Sequence, residues 1–197
     1  MQKICAIVVA AGQATRFHSN KLLYKINSKW IISYVIDNVS HSNFYRSIIV
    51  LRNQEIQDYS IKMGFKAVWN CCFEKGMSAS IVKGLENIPP ECDAVMIIPG
   101  DMPLVTSEYL NGLINHYELS GSGISGFEYN GEVITPVIFS KKYFPEILQL
   151  TGDKGAKSIV KKHFIDFSPL SIGKKAMTDI DTLEDAKKVE KILNNKA

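Results

Sequence analysis

The chain has 197 residues, 46% hydrophobic and 22% charged, with 13 Gly and 7 Pro; that is the size of one globular domain, and it excludes disordered, collagen-like and low-complexity architectures. A net charge of +3 arises from 23 basic and 20 acidic residues spread along the chain without a block. With a pI near 8.6 and no basic stripe, a nucleic-acid binder is not expected. Within the basic set only Arg16, Arg46 and Arg52 are arginines, so where those three sit carries information.

From the N-terminus, Ile4–Ala11 is apolar, β-branched and halted by Gly12. The apolar start invites comparison with a signal peptide, but this pattern suits a buried parallel strand better. Trp30–Val39 then has helical spacing, Ser47–Leu51 is strand-like, Gln54–Met63 helical and closed by Gly64, and Phe65–Trp69 strand-like. Ser78–Leu85 reads as a helix, and Ala94–Ile98 as a strand ending at Pro99-Gly100. Thr106 caps a helix running to about Glu118. Beyond it, Gly121–Phe127 and Glu132–Phe139 are expected strands, Lys141–Leu150 and Lys154–His163 expected helices. Thr182 and Asp185 form a capping-box start for the last helix.

This alternation predicts an α/β fold, a Rossmann-like three-layer sandwich whose mostly parallel sheet carries helices on both faces. No linker or repeat interrupts it, so residues 1–197 are read as one domain, with a nucleotide-type first half to about residue 105 and a more elaborated second half. No stretch approaches the ~18 apolar residues of a membrane span, and a cytoplasmic protein is expected. Cys5, Cys71, Cys72 and Cys92 lack metal-clamp spacing and are read as buried or incidental thiols. His18, His41, His116 and His163 are scattered, which argues against zinc.

Ligands of open α/β sheets bind at the carboxyl ends of strands, which directs attention to three loops. The first, after Ala10-Ala11-Gly12, carries Arg16 and Lys21. Small residues let backbone approach a ligand, and a guanidinium fork plus an ammonium suit phosphate oxygens. Neither the dinucleotide G-x-G-x-x-G nor the Walker pattern is present. Residue types alone leave open an ordinary loop with two exposed cations.

The second segment is Gly76-Met77-Ser78-Ala79-Ser80. Ser78 is suited to capping the following helix. A hydrolase nucleophile elbow, with Ser78, Asp101 and either His116 or His163 in order, is disfavoured because Ser80 replaces the closing Gly of G-x-S-x-G. The third loop, Pro99-Gly100-Asp101-Met102-Pro103, pins an acid just past a buried strand, where it suits Mg²⁺. Asp101 can equally serve as a turn residue bonding its own backbone. Asp179 and Asp181 precede the last helix, where Asp181 can be a metal partner of Asp101 or a helix-terminus charge.

Taken together, A-A-G followed by Arg16, Lys21 and Leu22-Leu23, then G-M-S-A-S, G-D-M-P, T-G-D-K-G-A and D-I-D-T resemble the ordered motifs of the MobA/MocA-type nucleotidyltransferases. These have a GT-A-like, nucleotide-diphospho-sugar-transferase-like fold and attach a nucleotide to the phosphate of the molybdenum cofactor's pterin. The resemblance spans residue 4 to about 190. It implies an NTP held by Ala10, Ala11, Gly12, Arg16 and Lys21, with Gly76 and Ser80 near the nucleobase. It further implies Arg16, Lys21 and Asp101 as catalytic groups, and Mg²⁺ on Asp101 with Asp181, Asp179 being the weaker candidate. The second half would face the pterin acceptor. The form of the first loop and of Gly76–Ser80 is closer to the cytidylyl branch, so CTP is expected over GTP, with a recipient molybdoenzyme as a further partner.

The sequence departs from the family pattern at His18, Tyr24 and Ile134, where Gly, Pro and Gly are usual. The alternatives are guanylyl transfer, transfer to another phosphate acceptor, and a non-catalytic cofactor-binding or delivery relative.

Overall fold

The computed structural model describes residues 2–12, 17, 20–173 and 178–195. Arg16 and His18 lie outside the described residues. Strand β1 (Ile4–Ala10) is followed by a short hairpin, β2 (Lys25–Ile26) and β3 (Lys29–Trp30), then α1 (Ile31–Ser40), β4 (Arg46–Leu51), α2 (Gln54–Lys62) and β5 (Lys66–Trp69). Next come α3 (Met77–Leu85), β6 (Ala94–Pro99), α4 (Ser107–Ser120), β7 (Ile124–Tyr129) and β8 (Glu132–Ser140). The chain continues with α5 (Phe144–Ile147), α6 (Ala156–Lys162), β9 (Phe167–Ser171) and α7 (Leu183–Asn194).

Seven strands form one sheet in the order β5-β4-β1-β6-β8-β7-β9. β5, β4, β1 and β6 are parallel, β8 runs antiparallel to β6 and β7, and β9 returns parallel to β7. The mostly parallel α/β sheet expected from the alternating pattern is therefore the one observed. β1 shows why it is central. Successive strand side chains point to opposite faces. Ile4, Ala6, Val8 and Ala10 pack with Ile32, Val35 and Ile36 of α1 and Leu110, Leu113 and Ile114 of α4. Cys5 and Ile7 pack on the other face with Ile81 and Leu85 of α3 and Ile159 and Val160 of α6. A strand buried on both faces needs apolar residues at nearly every position, as Ile-Cys-Ala-Ile-Val-Val-Ala provides.

Four local features depart from the sequence reading. Lys141–Leu150 is a 3₁₀ turn (Lys141–Tyr143) leading into the four-residue α5, with Pro145 in its first turn. β9 was not anticipated from Phe-Ser-Pro-Leu-Ser. It is an edge strand, where Pro169 is tolerated because its missing N–H leaves no central ladder bond unmade. The two-residue strands β2 and β3 are too short to show a period. Cys5 and Cys92, read as thiols, form a disulfide between β1 and the segment before β6, while Cys71 and Cys72 are free and exposed. Among the described residues, no helix is long and apolar enough to cross a membrane.

A third apolar cluster positions the site. Ile26, Ile31 and Phe17 pack with Leu104, Ile180, and Ala186 and Val189 of α7. Ile180 is fully buried there. Its burial, a contribution of roughly 1.5–3 kcal/mol for a side chain of this type, draws the flanking Asp179 and Asp181 to the end of the sheet.

Candidate active site

The carboxyl ends of β1, β4, β5 and β6 open on one edge of the sheet, a consequence of their parallel pairing. β1 delivers Ala10 and Ala11, both buried, then Gly12, whose backbone faces open space. β6 delivers Asp101 through a turn in which the Gly100 amide donates to the Val9 carbonyl at 3.0 Å. A Cβ on Gly100 would come within 2.9 Å of Ile32 Cδ1 and 3.0 Å of that carbonyl. The missing Cβ lets the Asp101 turn tuck against β1 without displacing either neighbour.

Lys21 sits on a 3₁₀ turn (Lys21–Leu23) that is fixed from both sides. The Asn20 side chain accepts from the Leu22 amide at 3.2 Å, and Leu22 is buried in the core. From there Lys21 Nζ donates to Asp101 Oδ2 and Asp181 Oδ1, each at 2.8 Å. The Asp181 segment is tied to the same loop by its backbone, because the Ile180 amide donates to the Asp101 carbonyl at 3.1 Å. Asp181 has no capping duty. Thr182 accepts from the Asp185 amide, and the Asp185 carboxylate accepts from the Thr182 amide, completing the box. The Asp181 carboxylate is left to turn to Lys21.

Electrostatics at this corner follow from crowding. Burial depresses the Lys21 ammonium, but attraction and hydrogen bonding to Asp101 and Asp181 outweigh it, and its pKa lies above the ordinary lysine value. Partial burial, and then the negative charges of Asp101 and Asp181, raise the Asp179 carboxyl. Two carboxylates therefore converge on one ammonium, and their charge is felt at Asp179. Among the described residues, no group of three or more His, Cys, Asp or Glu is placed to hold a metal on protein ligands alone. That donor set still fits Mg²⁺, which is commonly bound through one or two carboxylates with substrate oxygens completing its shell.

The Gly76–Ser80 segment lies at the start of α3. Gly76 has φ +88°, and a Cβ there would meet the Gly152 carbonyl oxygen at 2.5 Å and Asp153 Oδ1 at 2.6 Å. Ser80 is buried, and its hydroxyl accepts from Asn70 Nδ2 at 2.9 Å. Asn70 follows β5, and its Oδ1 accepts from the Cys72 amide at 2.9 Å. Both residues thus have structural partners beside the role the family motif implies. The hydrolase triad has no geometric basis. Ser78 is buried, His116 meets Ser168 at 2.9 Å, and His163 meets Glu146 at 2.6 Å. On the second-half side, Thr135 Oγ1 reaches Met102 Sδ at 3.6 Å, beside the Asp101 turn.

One residue was missed. Arg52, just past β4, directs Nη2 toward the Gly12 carbonyl at 3.4 Å. Two of the three arginines, Arg16 by its place in the sequence and Arg52 by this contact, thus belong to the loop after β1. The available signal was its position one residue beyond a buried strand.

Comparison with known proteins agrees with this arrangement of sheet and loops. The MobA-like NTP transferase domain matches residues 6–167, and the chain belongs to that family of nucleotidyltransferases. A relative named probable molybdenum cofactor guanylyltransferase, from Thermococcus sibiricus, is 23% identical over 76% of this chain and 74% of its own length. A 2-C-methyl-D-erythritol 4-phosphate cytidylyltransferase from Caldicellulosiruptor bescii is 36% identical over 59% of this chain, which spans 54% of that relative. Among solved structures, a nucleotidyl transferase from Methanothermobacter thermautotroptrophicus superimposes with TM-score 0.86 over the whole of both chains at 19% identity. The molybdopterin-guanine dinucleotide biosynthesis protein A from Archaeoglobus fulgidus gives 0.73 at 18% identity, covering 97% of this chain and 99% of that one. At such identities these structures speak for the fold.

Proposed function

We propose that this protein transfers a nucleotide, CMP from CTP, onto the phosphate of the molybdenum cofactor pterin with Mg²⁺ present, releasing pyrophosphate. The observation that carries the reading is the meeting of Lys21 with Asp101 and Asp181, residues 80 and 160 positions away in sequence, at the ligand-binding edge of the sheet. Family membership supports nucleotidyl transfer. The curated relatives include cytidylyl and guanylyl enzymes, and the A-A-G loop with the Gly76–Ser80 segment favours CTP. The guanylyltransferase relative makes GTP the second reading.

The acceptor phosphate is already anionic near neutral pH, so attack on the α-phosphorus requires no dedicated base. What it requires is a fixed positive field for two anions brought together and for the departing pyrophosphate. Gly12 offers its backbone, Arg16 serves the β- and γ-phosphates, and Lys21 serves the α-phosphate or the bridging oxygen. Asp101 and Asp181 would hold the Mg²⁺, which when bound polarises phosphate oxygens and neutralises developing charge. The Thr135 strand, beside the Asp101 turn, belongs to the acceptor side. We place the reaction in the cytoplasm, with a molybdoenzyme receiving the product.

The deciding experiment measures pyrophosphate release with Mg²⁺, purified molybdenum cofactor and CTP, GTP, ATP or UTP in turn. Release with CTP is expected. Release with GTP alone assigns the guanylyl reaction, and release with none of the four overturns the pterin acceptor.

A further inference from the structure

The Lys21 ammonium occupies a position with two claimants. It lies 2.8 Å from Asp101 Oδ2 and 2.8 Å from Asp181 Oδ1, the two carboxylates to which the proposed reaction assigns the divalent ion. Mg²⁺ binds oxygen at about 2.0–2.1 Å, so an ion shared by both carboxylates would lie close to the point where the ammonium now bridges them. Two cations cannot share that point. A singly and a doubly charged cation held this close repel strongly even where the surroundings are polarisable.

We infer that Lys21 is a placeholder for the metal: it neutralises Asp101 and Asp181 until nucleotide phosphates draw it off, so the metal enters with or after the nucleotide and not before it. This rests on the nucleotidyl-transfer reading and assigns it an order of assembly. Three features support it. The backbone of Lys21 is anchored by buried Leu22 and the Asn20 cap, so the swing belongs to its four-carbon stem, which has rotatable bonds to spare. β1 ends beside the Asp101 turn, where the Gly100 amide donates to the Val9 carbonyl, so phosphate at Gly12 would fall on the same edge of the sheet as the ammonium. Asp101 and Asp181 share this one ammonium, so its departure leaves two uncompensated carboxylates that attract a divalent cation.

The test measures Mn²⁺ binding by electron paramagnetic resonance, with circular dichroism to verify folding. The proteins are wild type, Lys21→Gln, and Lys21→Gln combined with Asp101→Asn. Without nucleotide, Lys21→Gln is expected to bind Mn²⁺ at least about tenfold more tightly than wild type, because no ammonium then competes for the two carboxylates. The double variant should lose that gain. A non-hydrolysable CTP analogue, or its GTP counterpart in parallel, should raise Mn²⁺ affinity more in wild type than in Lys21→Gln. Lys21→Met serves if the glutamine variant does not fold.

Equal nucleotide-free affinity of wild type and the folded variant overturns the placeholder, even where an analogue promotes Mn²⁺ binding to wild type. If the analogues bind yet no protein holds Mn²⁺ with them, the assignment of metal to Asp101 and Asp181 falls as well.

Discussion

The amide of Ser78 donates to the carbonyl of Gly152 at 3.1 Å, tying the first turn of α3 to a loop from the second half of the chain. Two segments the sequence presents as separate motifs, Gly76–Ser80 and Thr151–Ala156, are thus one piece of structure. Gly155 tightens the joint, since a Cβ there would lie 2.9 Å from Met77 Sδ. Gly76→Ala should therefore act through this joint. It combines a strained positive φ with a clash against backbone, and should cost about 1–3 kcal/mol. Thermal denaturation should show Tm lowered by several degrees; an unchanged Tm would mean the loop moves aside freely.

Asp101→Ala should reduce pyrophosphate release at least about 10²-fold, the scale of losing one electrostatic stabiliser, while leaving the fold intact. The fold survives because Ile180 is held by the Asp101 backbone carbonyl, not by its carboxylate. Near-normal turnover in a folded Asp101→Ala protein would remove this residue from the chemistry.

Arg52→Met should raise KM for the nucleotide about three- to tenfold, the net value of one ordinary hydrogen bond, as suits a contact of 3.4 Å. Its guanidinium steadies the Gly12 carbonyl, so kcat should change little. Steady-state kinetics separate the two parameters. A loss confined to kcat would give Arg52 a different task.

Cys5 and Cys92 should remain unreactive in denaturant without reductant, so thiol titration should find two groups before reduction and four after it. The disulfide spans 87 residues, and closing a long loop restricts the unfolded chain. Cys92→Ser should cost about 2–4 kcal/mol, read from urea unfolding.

Stability in acid should report on Asp166. A hydrogen bond from Lys142 at 2.7 Å, another from the Tyr143 hydroxyl at 2.6 Å, and the Gly123 amide hold its pKa at about 2, against an ordinary 3.8. A lowered carboxyl stabilises the fold above its unfolded pKa and loses that contribution as pH falls through the folded one. The stability difference between wild type and Asp166→Asn should be constant near neutrality and shrink between 3.8 and about 2. Solvent screens this pair, so the difference should be about 1 kcal/mol or less.

Much of this was legible beforehand, for identifiable reasons. β1, β4 and β6 are apolar on both faces, so their burial in a parallel sheet follows from composition. The Thr182–Asp185 box is a contact three residues long and needs no tertiary context. β9 was hidden because Phe-Ser-Pro-Leu-Ser lacks a two-residue hydrophobic period, and only the open edge of β7 makes a strand of it. Arg52 was hidden because a cation after a strand is ordinary until Gly12 is seen beside it.

The three arginines show the same division. By itself the sequence determined the sheet, the motif order, and the residue types able to hold phosphate and a divalent ion, because short-range patterns of polarity and size suffice for these. Tertiary structure alone decided that Arg52 joins the loop after β1 and that Cys5 meets Cys92. It also decided that Lys21 sits between Asp101 and Asp181. Those meetings depend on strand order and on the burial of Ile180, which bring together groups up to 160 residues apart.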